Sequence, residues 1–493
     1  MIGRLLRLRA RWRMHRLRSR SDELAAIQER MLLGMVRRAQ STRFGQEFGF
    51  DRIHSVSDFR ERVPVQDYAS MLPRFERMRD GAADETWPGK PVAFAHTSGT
   101  SGGHKFLPMT RSSIRSGLAG AVDGLSAYLA RARDRRLLHG RIAVLAGSLH
   151  LEQFESGVPW GDIAGIFAAR LPRWLQRHCV PGPEILAIPD WEDRLRATAA
   201  DLVQRKVRVL VGAPSWLLVL INAVEELTGR PIRDVWPEWR GLIHGGVAFA
   251  PYADQYRLRI GAGVVFVNTY AAPQGGLLAV QDRGDDPAML VLPDRGVFFE
   301  FVRTDDPLGP RLGLHEVEPN VPYLIQVTTD AGLWAHRIGD VVRFSSVGPP
   351  RLLVTGRNDS LLNAFGENVA QEELEAAVAA AARLCHCEVR EFAVVPEYPR
   401  ADRAGGRHRF LVEFVVPPPD LGAFEVAIDA ALRDGNEDYR AHRSGDLQLL
   451  PPYVRLLRRN AFYEWMKASG RLGGRSKVPR VLDPGRAAGL PGS

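Results

Sequence analysis

The sequence predicts an α/β fold: a large N-terminal domain of α/β sheets with a β-rich subdomain, then a smaller, mobile α+β domain at the C-terminal end. Three observations lead there. From residue 88 onward, apolar strand-like runs alternate with helical periodicity, the pattern of a sheet joined by crossover helices. From about 288, strand-like runs follow one another through short polar turns, which points to antiparallel pairing. From about 359, helices and strands mix again in a third texture. A chain of 493 residues, 45% hydrophobic and 25% charged, can bury a large core and has an ordinary globular composition.

In chain order, the first twenty residues, MIGRLLRLRARWRMHRLRSR, hold eight arginines and no acid. They predict a basic helix with Leu5, Leu8 and Trp12 on one side. Such a helix either packs on the body or makes peripheral contact with anionic lipid or nucleic acid. A single short arginine run favours packing. Residues 22–48 carry Leu24, Ile27, Met31, Leu32 and Met35 at helical spacing. PVAFAHTS (91–98) reads as a strand, and 112–132 as a helix capped by Ser112 or Thr110. VRVLVGA (207–213), GLIHGG (241–246) and GVVFVNTYA (263–271) read as strands. AMLVLP, GVFFEFVR, PYLIQVTT, DVVRFSSV and PRLLVTGR form the antiparallel region. Beyond it lie helices QEELEAAVAAAARL, FEVAIDAALRDG and NAFYEWMKASG and strands CEVREFAVV and HRFLVEFVV. The expected division is an Arg-rich segment (1–21), a large domain (22–358) and a small one (359–493). The turn Gly356-Arg357-Asn358-Asp359 would be the pivot.

Charge and cysteine usage exclude several classes. The net charge is +9, from 66 basic and 57 acidic side chains. The N-terminal arginines account for nearly all of it, so the body is close to neutral and a nucleic-acid surface is not indicated. Only Cys179, Cys385 and Cys387 occur, which argues against a disulfide framework and suits a reducing cytoplasm. Cys-His-Cys at 385–387 lacks a second cluster nearby, and two ligands one residue apart make no metal site. No stretch approaches the roughly 18 apolar residues of a membrane span. The start lacks the apolar core of a secretory signal.

HTSGTSGGHKFLP (96–108) is the most informative stretch, with three glycines, four Ser/Thr hydroxyls and one lysine. It is either a flexible linker or a phosphate cradle. In a cradle, backbone N–H groups point inward, glycine permits close approach, and hydroxyls add donors. Lys105 adds a cation. The expected context is strand, loop, helix, so that a helix N-terminus adds partial positive charge. Lys105 and the apolar runs on both sides favour the cradle. It is not the P-loop NTPase motif, which needs Ser/Thr directly after Gly-Lys; here His104 precedes Lys105 and Phe106 follows it.

TSGTSGGHK resembles the phosphate loop of the adenylate-forming enzymes. VPVQDYASMLPRFERM (63–78), GDIAGIFAARLP, GAPSW (212–216), HGG (244–246), GLWAHRIGDVVRF (332–344), GRNDSLLNAFGENVAQEELE (356–375), NEDYRAHR and GGRSKVPR (473–480) follow in order. Together they resemble the plant auxin-responsive acyl-acid amido synthetase family and its bacterial relatives, over nearly the whole chain from about residue 22. The resemblance implies an adenylate-forming large domain that uses ATP and Mg²⁺. It would activate a carboxylic acid as acyl-AMP, release pyrophosphate and pass the acyl group to an amine, by expectation an amino acid.

The same resemblance implies the site. Thr97, Ser98, Gly99, Thr100, Ser101, Gly102 and Gly103, with Lys105, would hold phosphates. Asp340 would accept both ribose hydroxyls, since a carboxylate has two acceptor oxygens; the alternative is a turn aspartate after glycine. Arg357 would contact ribose or phosphate, or lie on the surface. Gly245, Gly246 and Tyr270 would line the adenine pocket, Tyr270 by stacking unless it is a core ring. Lys477 would bridge the acyl carboxylate and the α-phosphate. The small domain would then swing about residues 357–360 for the second half-reaction. Trp216 either lines the acyl pocket or fills the core. His336 either packs or serves the acyl or acceptor site.

Two segments depart from the family pattern. YAAPQ (270–274) stands where Tyr-x-Ser/Thr-Ser/Thr-Glu is usual, so Gln274 replaces a glutamate that helps hold Mg²⁺. An amide oxygen can ligate the ion but brings no charge. Ala335 and His336 replace an arginine and an aromatic residue. Two alternatives therefore stay open: a different acceptor, such as coenzyme A or an alcohol, and a ligand-binding relative without turnover. No carrier domain follows Ser493, so an attached carrier is not the expected acceptor.

Overall fold

The computed structural model describes residues 2–98, 104–132, 137–145, 147–246, 249, 252–260, 263–357, 362, 367, 369–397, 406–436, 439–440, 443, 449–469, 477–482 and 484–490. The chain divides into two compact units. One is Met1–Phe249 with Gln255–Val354, the other Ala250–Asp254 with Thr355–Ser493.

The first unit's longer helices are α1 (Ile2–Ser19), α2 (Leu24–Ala39), α3 (Tyr68–Arg79), α4 (Arg111–Arg131), α5 (Trp191–Val203) and α6 (Pro214–Thr228). Its strands are β1 (Ala93–Ser98), β2 (His104–Met109), β3 (Arg141–Val144), β4 (Glu152–Gln153), β5 (Pro159–Asp162), β6 (Cys179–Val180), β7 (Val207–Gly212), β8 (Gly241–Gly245), β9 (Val265–Ala272), β10 (Gly276–Val280), β11 (Met289–Val291), β12 (Val297–Arg303), β13 (Pro322–Thr329), β14 (Leu333–Val347) and β15 (Pro350–Arg357), the last running across the unit boundary.

A four-stranded sheet has the order β2-β1-β5-β4, and an eleven-stranded sheet the order β12-β13-β14-β15-β11-β10-β9-β8-β7-β3-β6. The antiparallel region foreseen after residue 288 is an extension of the parallel sheet. β9 makes the join, pairing parallel with β8 on one side and antiparallel with β10 on the other. The alternating β/α stretch and the hairpin-rich stretch thus share one hydrogen-bonded layer.

Trp334 anchors β14. Its ring is fully buried among Phe44, Phe50, Phe59 and Trp87, and its indole N–H donates to the Thr86 carbonyl at 3.0 Å. Each ring buried this way stabilises by about 2–3 kcal/mol. The next two residues of the strand are Ala335 and His336, so this cluster fixes where the site strand lies.

α1 is seated on the body. Ala10, Met14 and Leu17 are buried in a cluster with Leu125 and Tyr128 of α4. Arg13 donates to Asp123 at 2.9 and 2.8 Å and to Asp294 at 2.7 and 2.6 Å. Arg18 donates to Asp282 at 2.6 Å, a carboxylate that also holds Arg351.

In the second unit, α7 (Gln371–Leu384), α8 (Leu421–Gly435) and α9 (Ala461–Ala468) accompany a three-stranded sheet of β16 (Glu388–Glu397), β17 (Arg407–Val416) and β18 (Tyr453–Leu457). β16 and β17 are antiparallel, and β18 runs parallel to β17. β18 has no counterpart in the expected elements. It is short, follows two prolines and leaves Arg455 and Leu456 exposed, so its periodicity is faint. No helix among the described residues is long and apolar enough to cross a membrane.

Candidate active site

The glycine-rich loop lies between the strands of a hairpin. β1 and β2 are antiparallel, with Thr97 opposite Lys105 and Ser98 opposite His104. Gly99, Thr100, Ser101, Gly102 and Gly103, which close it, lie outside the described residues, as do the side chains of Thr97 and Ser98. The expectation that a helix follows the loop directly is corrected here. β2 intervenes, and α4 starts only at Arg111, capped by the Thr110 hydroxyl, which accepts from the Ser113 N–H at 3.0 Å. Six strand residues span about 20 Å, whereas the helix-end charge acts within about one turn. The N-terminus of α4 therefore lies a full strand along the chain from Lys105.

Lys105 is held from below by an aromatic ring. Its ammonium lies 5.5 Å from the centre of the Tyr68 ring, whose hydroxyl accepts from the Phe106 N–H at 3.0 Å. Tyr68 opens α3, whose capping residue is Asp67. This cap is stitched to β14 through its neighbour Gln66. The Gln66 N–H donates to the Ala335 carbonyl at 3.0 Å, and the Arg337 N–H donates to the Gln66 carbonyl at 2.8 Å. Lys105, Tyr68, Asp67 and His336 therefore come from three distant parts of the chain into one neighbourhood.

His336 is buried, and its Nδ1 has no hydrogen-bond partner among the described residues. Burial holds the imidazole down at about 4, Lys105 lowers it further and Asp67 opposes the shift. It is neutral at physiological pH. Ala335 before it adopts φ 44°, a left-handed conformation rare for a side-chain-bearing residue, and its N–H donates to Thr328 Oγ1 at 2.8 Å. β14 shifts register against β13 at this point, and the bulge presents His336.

Four residues along the strand, roughly 13 Å away, the structure joins two nucleotide-site candidates. The Tyr270 hydroxyl donates to Asp340 Oδ2 at 2.6 Å, and both residues are buried. The Tyr270 ring lies within the apolar core cluster, as a core ring with a polar tip. β9 continues from Tyr270 into the turn carrying Gln274. Gln274 Oε1 is buried without a hydrogen-bond partner among the described residues. α4 packs along this hairpin, Gly117 and Gly120 facing Gly276 and Leu277.

Gly245 ends β8. A Cβ there would meet the carbonyl and hydroxyl oxygens of Thr269 at 2.4 Å, so only glycine lets β8 and β9 approach this closely. Gly246 turns the chain away at φ 86°. The preceding residue, His244, is buried and stacks on Phe249 with ring centres 4.1 Å apart. Burial pushes its imidazole down to about 3, and its Nδ1 lacks a partner among the described residues. Trp216, at the start of α6, is buried edge-on to Trp191 of α5 at 5.0 Å. That is a helix-packing position.

In the second unit, Lys477 is exposed. Three residues later Arg480 is buried. Its guanidinium donates to Glu375 at 2.9 Å, to Glu391 and to the Phe392 carbonyl at 2.8 Å. The Val394 N–H donates to the Arg480 carbonyl at 2.6 Å, and Val481 bridges to Val394. Arg480 thus anchors the segment that carries Lys477 to the edge of β16. The Arg357 side chain lies outside the described residues.

Sequence reasoning did not single out Asp67, Tyr68, His244 or Arg480. All four lie inside segments that carried the resemblance, yet nothing local reveals what each touches.

The chain matches the GH3 family N-terminal domain over residues 13–228, the central domain over 290–357 and the C-terminal domain over 372–485. Among similar proteins, a jasmonoyl–L-amino acid synthetase of Nicotiana attenuata is 24% identical over 447 residues, covering 75% of this chain and 76% of that one. An indole-3-acetic acid-amido synthetase of Oryza sativa subsp. indica is 24% identical, covering 93% and 88%. Of solved structures, the GH3.15 acyl acid amido synthetase aligns with a TM-score of 0.80 at 18% identity, covering 95% of this chain and 94% of that one. A 2-hydroxyisobutyryl-CoA ligase holding 2-HIB-AMP aligns with a TM-score of 0.57 at 13% identity, covering 95% and 88%. The fold is shared with these solved structures, and the chain belongs to the GH3 family, whose relatives named here are amido and amino acid synthetases.

Proposed function

We propose that this protein is an ATP-dependent acyl-acid amido synthetase that joins a carboxylic acid to an amino acid. The observation that carries the reading is the Tyr270–Asp340 hydrogen bond, because it joins two residues that the sequence assigned separately to the nucleotide. Asp340 would accept from the ribose hydroxyls, oriented by Tyr270. The loop N–H groups, its hydroxyls and Lys105 would offset the charge of the phosphates, with Tyr68 limiting where the ammonium goes. Gly245 and Gly246 would let the adenine lie against bare backbone. Arg357 would lie near the ribose or phosphates.

A carboxylate oxygen attacks the α-phosphorus, the bond to the pyrophosphate oxygen breaks, and acyl-AMP forms. Both partners are anionic, so a cation between them lowers the barrier, and Lys477 supplies it. An amine nitrogen then attacks the acyl carbon, AMP leaves with the C–O electron pair, and the nitrogen sheds a proton. Between the two steps the small domain turns about residues 357–360. Neutral His336 sits beside Lys105 and suits a role at the acyl or acceptor site. The Trp216 ring serves packing first and reaches the acyl pocket at most by its edge.

Mg²⁺ fits Gln274. A buried amide oxygen without a partner among the described residues is the kind of hard ligand this ion takes. When bound, the ion offsets phosphate charge. The three cysteines are free thiols, in keeping with the cytoplasm as the working compartment.

The test is ATP–pyrophosphate exchange across a panel of carboxylic acids. Exchange should require ATP, Mg²⁺ and the right acid, and Lys477→Ala should lower it about 100-fold or more. Full exchange in that variant removes Lys477 from the mechanism. Product masses with amino acids, coenzyme A and alcohols offered together identify the acceptor.

A further inference from the structure

α1 has two faces, and the body uses one of them. Ala10, Met14 and Leu17 face α4, while Arg13 and Arg18 are committed to Asp123, Asp294 and Asp282. On the opposite side, Leu5, Leu8 and Trp12 are 59%, 62% and 57% exposed. At about 100° per residue these three fall within an arc of about 60°, so they form one stripe. Arg9 and Arg16 border one edge of the stripe, and Arg4 and Arg11 lie beyond the other; all four are exposed. The Arg16 guanidinium sits 5.2 Å from the centre of the Trp12 ring.

We propose that this outer face of α1 docks the protein on an anionic lipid bilayer. The argument is one of chemistry and placement. The first twenty residues contain no acid, so the stripe is ringed by a single sign of charge that anionic headgroups complement. A nucleic acid offers phosphates to the arginines but nothing to Leu5 and Leu8. A bilayer interface takes both: leucines and a tryptophan enter the headgroup boundary, and the long arginine stems let their charges stay at the phosphates. The helix is already folded and ion-paired to the body, so docking carries no ordering cost for it. The helix would lie in the plane of the surface. This inference is independent of the proposed reaction.

The experiment is co-sedimentation of the full chain with vesicles of phosphatidylcholine alone and with about one-third phosphatidylglycerol. The protein should pellet with the anionic vesicles, stay in solution with the neutral ones, and release as salt shortens the screening length. Leu5→Ser/Leu8→Ser/Trp12→Ser should weaken partition by about tenfold or more. Arg9→Glu/Arg16→Glu, which keeps the stripe, should do the same, with both variants melting like the parent protein. Failure to pellet with anionic vesicles overturns the proposal, as does unchanged partition in either variant. Two other results replace it with a different partner. One is salt-sensitive binding to short duplex RNA or DNA without vesicle binding. The other is a dimer in light scattering that the triple serine variant dissolves, again without vesicle binding.

Discussion

At the scale of single residues, the site depends on a few side chains whose ionic state is set by burial. Tyr270 meets Asp340 through one hydrogen bond. Removing the hydroxyl leaves the carboxylate less well oriented. Tyr270→Phe should raise KM for ATP about tenfold while changing kcat less, and an unchanged KM in exchange kinetics would detach this bond from nucleotide binding. His336 makes a pH prediction. Its imidazole is held at about 4, below the ordinary 6.5. The unfolded chain therefore takes up this proton more readily, so stability is full above about pH 6.5 and is lost as pH falls toward 4. The loss amounts to about 2 kcal/mol by about pH 5. His244, held at about 3, acts in the same direction. Asp330, raised by burial to about 6, acts in the opposite one and gains stability as pH falls through that value. The decisive readout is thus a difference: His336→Gln should lose less melting temperature between about pH 7 and 5 than the parent. Parallel losses in the two proteins count against it.

At the scale of elements, close backbone approach positions the site. β8 and β9 run parallel, and Thr269 lies where any side chain at Gly245 would have to go. A methyl group there must push β9, the strand that also carries Tyr270 and leads into Gln274. Gly245→Ala should therefore destabilise by about 2–4 kcal/mol and weaken ATP binding together. A denaturant midpoint matching the parent would show that the strands part easily. The β1–β2 hairpin teaches a related lesson. HKFLPM reads poorly as a strand because of Pro108, yet β2 is an edge strand, where proline is tolerated. Its proline hides the strand that separates the loop from α4.

At the scale of the whole molecule, the candidate site residues fall in two units. The nucleotide candidates Lys105, Tyr270 and Asp340 lie in one and Lys477 in the other. Arg480 ties the segment of Lys477 to its own unit through Glu375 and Glu391. If the second half-reaction needs a turn about residues 357–360, a residue with fixed φ should block it. Asp359→Pro should keep ATP–pyrophosphate exchange and slow amide formation about tenfold or more. Equal retention of both rates would place the pivot elsewhere.

Periodicity and motif order by themselves determined the family, the α/β class and the residue types that can meet a nucleotide. These are properties of short segments: strand and helix spacing, glycine-rich punctuation, and polar residues at fixed offsets. The tertiary structure alone decided which of them meet. Tyr270 and Asp340 are seventy residues apart in sequence, and the Lys105–Tyr68 pair comes near β14 through the backbone pairing of Gln66 with that strand. The same holds for the join of the two sheet textures at β9 and for the two faces of α1. Pairing across a sheet and burial on one side of a helix depend on what lies opposite, and a linear pattern records only what lies next along the chain.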